Sequence, residues 1–109
     1  MERLIEEGLI REWGLSQVDV AVIDWAQRVT PLTAIQNIYS MVEQDVEQAV
    51  IPYCMEHNIG VVPFSPIASG LLSGKITTET KFERNDDVRN WVPQLSRANI
   101  AGNQPIIDL

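Results

Sequence analysis

The chain is poor in the residues that build cross-linked or metal-held frameworks. It has one cysteine, Cys54, and one histidine, His57. That excludes a disulfide framework and leaves too few Cys and His ligands for a structural zinc site. A reducing, cytoplasmic compartment is the default for such a sequence. No apolar run approaches the roughly 18 residues of a membrane span. Met1-Glu2-Arg3 leads into a mixed acidic and apolar stretch, which is not a secretory signal. Basic residues are scarce as well. Eight Lys and Arg stand against 15 Asp and Glu, a net charge of -7. A nucleic-acid footprint normally shows as a basic face, so a nucleic-acid partner is not expected.

What is present is ordinary globular material. The 109 residues are 45% hydrophobic and 21% charged, enough for one small domain and too apolar for disorder. The charge is uneven. Residues 1–58 hold ten acids and three bases, whereas residues 59–109 hold five of each. The later bases are Lys75, Lys81, Arg84, Arg89 and Arg97. They form either a balanced solvated loop or part of an anion site.

Short apolar runs alternate with helical periods. Met1–Glu7 reads as the end of a helix closed by Gly8, and Ile10–Leu15 as a short strand. Ser16-Gln17-Val18-Asp19 has the form of a capping box, with Ser16 as the cap. Val18, Val22, Trp25, Ala26 and Val29 then fall on one helical face, ended by Thr30-Pro31. Leu32–Asn37 reads as a strand. A second helix carries Val46, Ala49, Val50 and Tyr53 on one face, with a kink or a lost hydrogen bond expected at Pro52. Asn58 suits a left-handed cap, and Ile59–Phe64 is a third strand. Ser69–Lys75 is a glycine-rich loop, residues 76–97 form a long irregular segment, and a last helix begins near Asn99. Trp13, Trp25 and Trp91 read as packing residues.

Strands separated by amphipathic helices are parallel. Three parallel strands leave two open edges, so the pattern reads as part of a larger α/β sheet, doubly wound or barrel. Open edges also predict self-association. In either architecture the site lies at the carboxyl ends of the strands. Those ends carry Ser16 with Gln17, Gln36 with Asn37, and Phe64 with Ser65. Hydroxyls and amides donate and accept without charge, which suits an amide or a heterocyclic ring. Ser69-Gly70-Leu71-Leu72-Ser73-Gly74-Lys75 has the makings of a phosphate cradle: freed backbone N–H groups, hydroxyls and a lysine. It is not a P-loop, which needs Gly at 69 and Ser or Thr at 76. Cys54 reads as packing, Tyr39 as an anchor and His57 as a helix-end cation. Asp86 and Asp87 lack the further oxygen ligands of a calcium loop.

Four segments carry a family resemblance: Trp13-Gly14-Leu15-Ser16, Leu32-Thr33-Ala34-Ile35-Gln36-Asn37-Ile38-Tyr39-Ser40, Ile51-Pro52-Tyr53-Cys54, and Phe64-Ser65-Pro66-Ile67-Ala68-Ser69-Gly70-Leu71-Leu72-Ser73-Gly74-Lys75. In order and spacing they resemble the aldo-keto reductases. Asp87-Val88-Arg89-Asn90 and residues 98–103 resemble the family's long loop and following helix. The resemblance implies an incomplete (β/α)₈ TIM barrel, with residues 1–109 as a partial oxidoreductase domain holding the fifth to seventh strands. It implies NADP (NADPH) as cofactor and a small aldehyde or ketone as substrate. By resemblance, Ser16, Gln17 and Gln36 hold the nicotinamide carboxamide and Phe64 stacks on its ring. Ser65, Ile67, Ser69, Gly70, Leu72, Ser73 and Lys75 line the pyrophosphate, and Arg89 is a further phosphate contact. The family's catalytic Asp, Tyr, Lys and His come from strands before this segment, and no residue here maps onto them. An alternative is a non-catalytic cofactor-binding regulatory subunit. Trp13-Gly14 and Ser73-Gly74-Lys75 also resemble the branch that contains the potassium-channel β subunits.

Overall fold

Three strands pair in parallel in the order β1-β2-β3: β1 is Gly14–Ser16, β2 Ala34–Ile38 and β3 Gly60–Phe64. The computed structural model describes residues 1–109. Helices precede or link the strands: α1 (Glu2–Glu6), α2 (Val20–Val29) and α3 (Val50–Glu56). A fourth, α4 (Arg97–Ile107), follows the irregular segment. No helix is long and apolar enough to cross a membrane. The chain divides into two compact units. One is Met1–Tyr39 with Gln44–Phe64, and the other is Ser40–Glu43 with Ser65–Leu109.

The first unit contains the sheet. Its core is Ile23, Ala26, Leu32, Ile35, Val46, Val50, Cys54 and Ile59. β1 is shorter than the expected Ile10–Leu15. Upstream pairing fails because Pro31 has no N–H and the Leu32 N–H is spent on Gln27 Oε1, at 2.6 Å. The cap of α2 is Asp19, whose carboxylate accepts from Val22 N–H at 2.9 Å, and not Ser16 as expected. The Ser16 hydroxyl is committed elsewhere, to the carbonyl of Gln36. The buried face of α2 is also turned from the expected one. Ile23 and Ala26 are buried, while Val22, Trp25 and Val29 are exposed. This helix is apolar on most sides, so periodicity alone does not choose between its stripes. Trp13 is half-buried, with its indole N–H on the Pro31 carbonyl at 2.9 Å. Trp25 and Trp91 are exposed at 69% and 80%, against the expectation of packing.

The second predicted helix divides into a 3₁₀ turn at Asp45–Glu47 and α3, separated by extended φ at Ala49. Val46, Val50 and Cys54 are buried, Tyr53 is half-buried and Ala49 is exposed. Pro52 is the third residue of α3. The expected disruption falls one turn earlier, at Ala49, which leaves the proline in the first turn of α3, where N–H groups have no intrahelical partner. Asn58 takes the left-handed conformation expected of it, with φ +54°.

The second unit has its own core of Ala68, Leu71, Ile76, Leu95 and Ile100. Its 3₁₀ turns are Ala68–Ser73, Val88–Trp91 and Pro93–Leu95. Helix α4 starts two residues before Asn99, because the Ser96 hydroxyl caps it by accepting from Asn99 N–H at 3.3 Å. The chain leaves the helix at Asp108.

Candidate functional site

Side chains alternate across a strand, so register decides which residues share a face. Ser16 pairs with Gln36, Gln36 with Val62, and Ile38 with Phe64. Ser16, Gln36, Val62 and Phe64 therefore stand on one side of the sheet. Ile35, Asn37 and Val61 point to the side where Ile23 and Cys54 pack. The free face is floored by Gly14, Ala34 and Gly60, and a hollow of about 300 Å³ opens there beside Ser16, Gln36 and Val62. Asn37 does not join the amide rim that its neighbour Gln36 forms. Consecutive strand residues cannot share a face, and that alternation was the signal available in the sequence.

The turn after β1 is tied to β2 by side chains. The Gln36 carbonyl accepts from the Gln17 N–H and from the Ser16 hydroxyl, both at 3.0 Å. Gln17 sits at φ +52°, a left-handed conformation unusual for a residue with a side chain. Its Oε1 accepts from Ile38 N–H at 2.7 Å. Asn37 braces the same turn from the buried side. Its Oδ1 accepts from Val18 N–H at 3.3 Å, and its Nδ2 donates to the Val18 carbonyl at 2.9 Å.

Tyr39, Tyr53 and Cys54 are engaged within this unit. The Tyr39 hydroxyl donates to Glu47, and that bond holds its pKa above the usual range. Tyr53 donates to Asp24 at 3.0 Å, Asp24 pairs with Arg28, and the Tyr53 ring stacks on His57 at 4.0 Å. Cys54 is wholly buried, and burial pushes its thiol up, away from thiolate chemistry.

In the second unit, the loop after β3 is wound through left-handed residues: Ser65 at φ +54°, Ala68 at +49°, Ser69 at +55°, Gly70 at +101° and Gly74 at +71°. Three of these are not glycine, and such conformations persist only where the surroundings over-determine them. Here Ala68 and Leu71 anchor the loop in the core. The Ser73 hydroxyl donates to the Gly70 carbonyl at 2.6 Å and accepts from Lys75 N–H at 3.3 Å. Ile67, Ser73 and Lys75 are left exposed, and Ser65, Ser69, Gly70 and Leu72 half-buried.

Arg89 has an internal partner that the sequence did not reveal. Its Nε and Nη2 grip the Asp87 carboxylate at 2.9 and 2.5 Å, and its guanidinium lies 4.5 Å from the Phe82 ring centroid. Arg84 takes Asp86 in the same way, at 2.7 Å. Hydrogen bonds from the Arg89 side chain and backbone N–H draw the Asp87 pKa down to about 2. A depressed carboxylate lends stability above its unfolded pKa and loses it as pH falls through the folded one. The Asp87–Arg89 tie should therefore hold down to about pH 4 and fail as the pH falls towards about 2. Carboxyl chemical shifts titrated by NMR check this. In Arg89→Ala the Asp87 midpoint should rise towards the usual carboxylate range, with the backbone N–H of residue 89 still holding it partly down. A midpoint already near the ordinary value in the unmodified protein would contradict the pairing.

The sequence model described as "Aldo/keto reductase family" matches residues 1–106. The chain is 35% identical over 97 residues to the aldo-keto reductase YhdN of Bacillus subtilis (strain 168), covering 89% of this chain and 29% of that protein. Among solved structures, a glycerol dehydrogenase from Gluconobacter oxydans superposes with a TM-score of 0.85 at 30% identity, covering 97% of this chain and 32% of that one. The chain thus spans about a third of the length of these relatives. The likeness identifies the three parallel strands as part of a (β/α)₈ barrel, incomplete within residues 1–109.

Proposed function

Because the chain belongs to the aldo/keto reductase family, we propose that it supplies the cofactor-holding part of a cytoplasmic, NADP(H)-dependent oxidoreductase that reduces small aldehydes or ketones to alcohols. The observation that carries this reading is the open sheet face, where Ser16, Gln36 and Phe64 stand together at the carboxyl ends of three adjacent parallel strands. The donor set fits a nicotinamide. A primary carboxamide offers one acceptor and two donors, and the exposed Gln36 amide is complementary to it. The Ser16 hydroxyl gives its hydrogen to the Gln36 carbonyl, which leaves its lone pairs free and would let it accept from a carboxamide N–H. Gln17 spends its Oε1 on Ile38 and keeps its side-chain NH₂ as a donor. Phe64 offers a flat apolar surface for a ring.

In the second unit, Ser65, Ile67, Ser69, Gly70, Leu72, Ser73 and Lys75 are assigned to the pyrophosphate. Left-handed backbone at Ser69 and Gly70 forms the kind of concavity in which N–H groups receive anions. Arg89 keeps Nη1 outside its pair with Asp87 and is assigned to a phosphate oxygen. When bound, the cofactor supplies the hydride. The residues of this chain hold the ring, fix which face is covered and shield the phosphates. We assign no proton donor to them.

Fluorescence titration of a full-length protein containing this chain with NADPH tests the reading. Gln36→Ala should weaken binding by about 1–3 kcal/mol, the penalty for leaving a buried polar partner unpaired. Phe64→Ala should weaken it through lost stacking. If both variants bind as tightly as the unmodified protein, the face is structural and the assignment is wrong.

A further inference from the structure

We propose that Asn37 is a positioning residue for the cofactor site: its buried side-chain amide, closed on both backbone groups of Val18, sets the turn that presents Ser16 and Gln17. The proposal rests on the cofactor reading above. Asn37 is only 6% exposed, so its four-point amide is held away from water. Both of its polar atoms are used on one residue, the N–H and the carbonyl of Val18. In antiparallel pairing a facing residue occupies both backbone groups of its partner in the same way. Asn37 thus continues the tie between β1 and β2 past Gln17, whose own N–H still bonds the Gln36 carbonyl.

The turn needs this help. Gln17 is left-handed at φ +52°, a conformation disfavoured for any residue with a Cβ. It is held by two opposed amide contacts. Gln17 reaches forward to the backbone of β2 at Ile38, and Asn37 reaches back from β2 to the backbone at Val18. Asn37 makes its contact from the packed side of the sheet, opposite to the side that Gln36 faces. Val18 also precedes Asp19, whose carboxylate starts α2. One side chain therefore fixes both the exit of β1 and the entry to α2. Ser16, the residue before Gln17, is oriented by the same clasp.

Asn37→Asp is the test variant, because it keeps the shape and removes the donor to the Val18 carbonyl. Two ligands are titrated at neutral pH: NADPH, and ADP-ribose, which carries the pyrophosphate and adenosine but no nicotinamide. A full-length protein containing this chain is used, with Ser16→Ala as a comparison. Asn37→Asp should weaken NADPH roughly tenfold, as for a buried carbonyl left without its donor, and shift ADP-ribose by less than about twofold. Equal loss of both ligands would make Asn37 a general stability residue and overturn the proposal. Unchanged NADPH affinity in Asn37→Asp, with Ser16→Ala weakened, would overturn it too while leaving the cofactor reading intact. If the unmodified protein binds neither ligand, the cofactor reading fails and takes the proposal with it. Hydrogen exchange on the unmodified protein covers the case in which the variant does not fold. The Val18 amide should be protected like the ladder amides of β2, although it lies outside any strand or helix. Exchange at the rate of an open loop would overturn the clasp directly.

Discussion

Ile35→Ala is expected to destabilise the sheet-bearing unit by roughly 2–5 kcal/mol, the range for truncating a fully buried isoleucine. Ile35 is 0% exposed and sits mid-way along the central strand. It pairs in register with Leu15 on one side and Val61 on the other, and both pack with it against the helices. None of these neighbours is free to collapse into the space, because each is held by the ladder. Total stabilities of domains are typically about 5–15 kcal/mol, so the loss should be visible as a large drop in the unfolding midpoint. The adjacent Gln36→Ala is the natural comparison. Gln36 faces the open side, and surface changes usually stay within about 0.5 kcal/mol. Urea unfolding of both variants decides the matter. A loss at Gln36 as large as that at Ile35 would contradict the assignment of one packed and one open face.

The contrast between Ile35 and Gln36 also marks what could be read from the sequence. β2 and β3 were legible because each is a short, mostly apolar run with β-branched residues, bounded by turn residues, whereas β1, Gly14-Leu15-Ser16, was legible only near its carboxyl end. Their carboxyl ends then named Ser16, Gln36 and Phe64 without reference to any contact. The phase of α2 was not legible. With Val20, Ala21, Val22, Ile23, Trp25, Ala26 and Val29 in a single helix, more than one stripe satisfies a 3.6 period. The choice fell to Asp19, which capped the helix three residues later than the Ser16 box predicted. Pro52 signals a break in its helix, and the break at Ala49, one turn earlier, leaves the proline in the first turn of α3.

In the site, the departures are side chains that replace backbone. Gln17 and Asn37 both use amides to complete hydrogen bonds that a continuing strand would make with its main chain. Composition gives no hint of that, because an amide at a strand end is equally suited to a ligand. Arg89 is the same kind of case. A basic residue in a polar loop invites a phosphate, yet two residues away Asp87 already occupies two of its nitrogens. The loop Ser65–Lys75 was legible by its glycines and hydroxyls. The left-handed Ser65, Ala68 and Ser69 were not, since nothing in those residue types calls for a positive φ.

Gly14→Ala should be as damaging as a core truncation, although Gly14 is an exposed residue at a strand edge. A Cβ at this position would overlap the backbone carbonyl oxygen of Ala34. That oxygen belongs to the strand paired with Gly14 in register. It cannot swing aside as the tip of a flexible side chain does, so the strands must part. Overpacking penalties typically run to about 3 kcal/mol and exceed this when the obstacle is rigid; we expect at least about 3 kcal/mol here. β1 is only three residues long, so parting at Gly14 releases Ser16 as well. Affinity for the proposed cofactor should fall with stability, and the Gln17 amide, which donates to the Gln36 carbonyl, should lose its protection from hydrogen exchange. Gly102→Ala supplies the control. Gly102 lies within α4, and nothing stands within 4 Å of its added Cβ. Replacing a mid-helix glycine by alanine there should raise stability by roughly 0.5–1 kcal/mol. The pair separates a glycine that the packing requires from one that it merely tolerates. A Gly14→Ala protein as stable as the unmodified one, with the Gln17 amide still protected, would show that β1 does not approach β2 this closely.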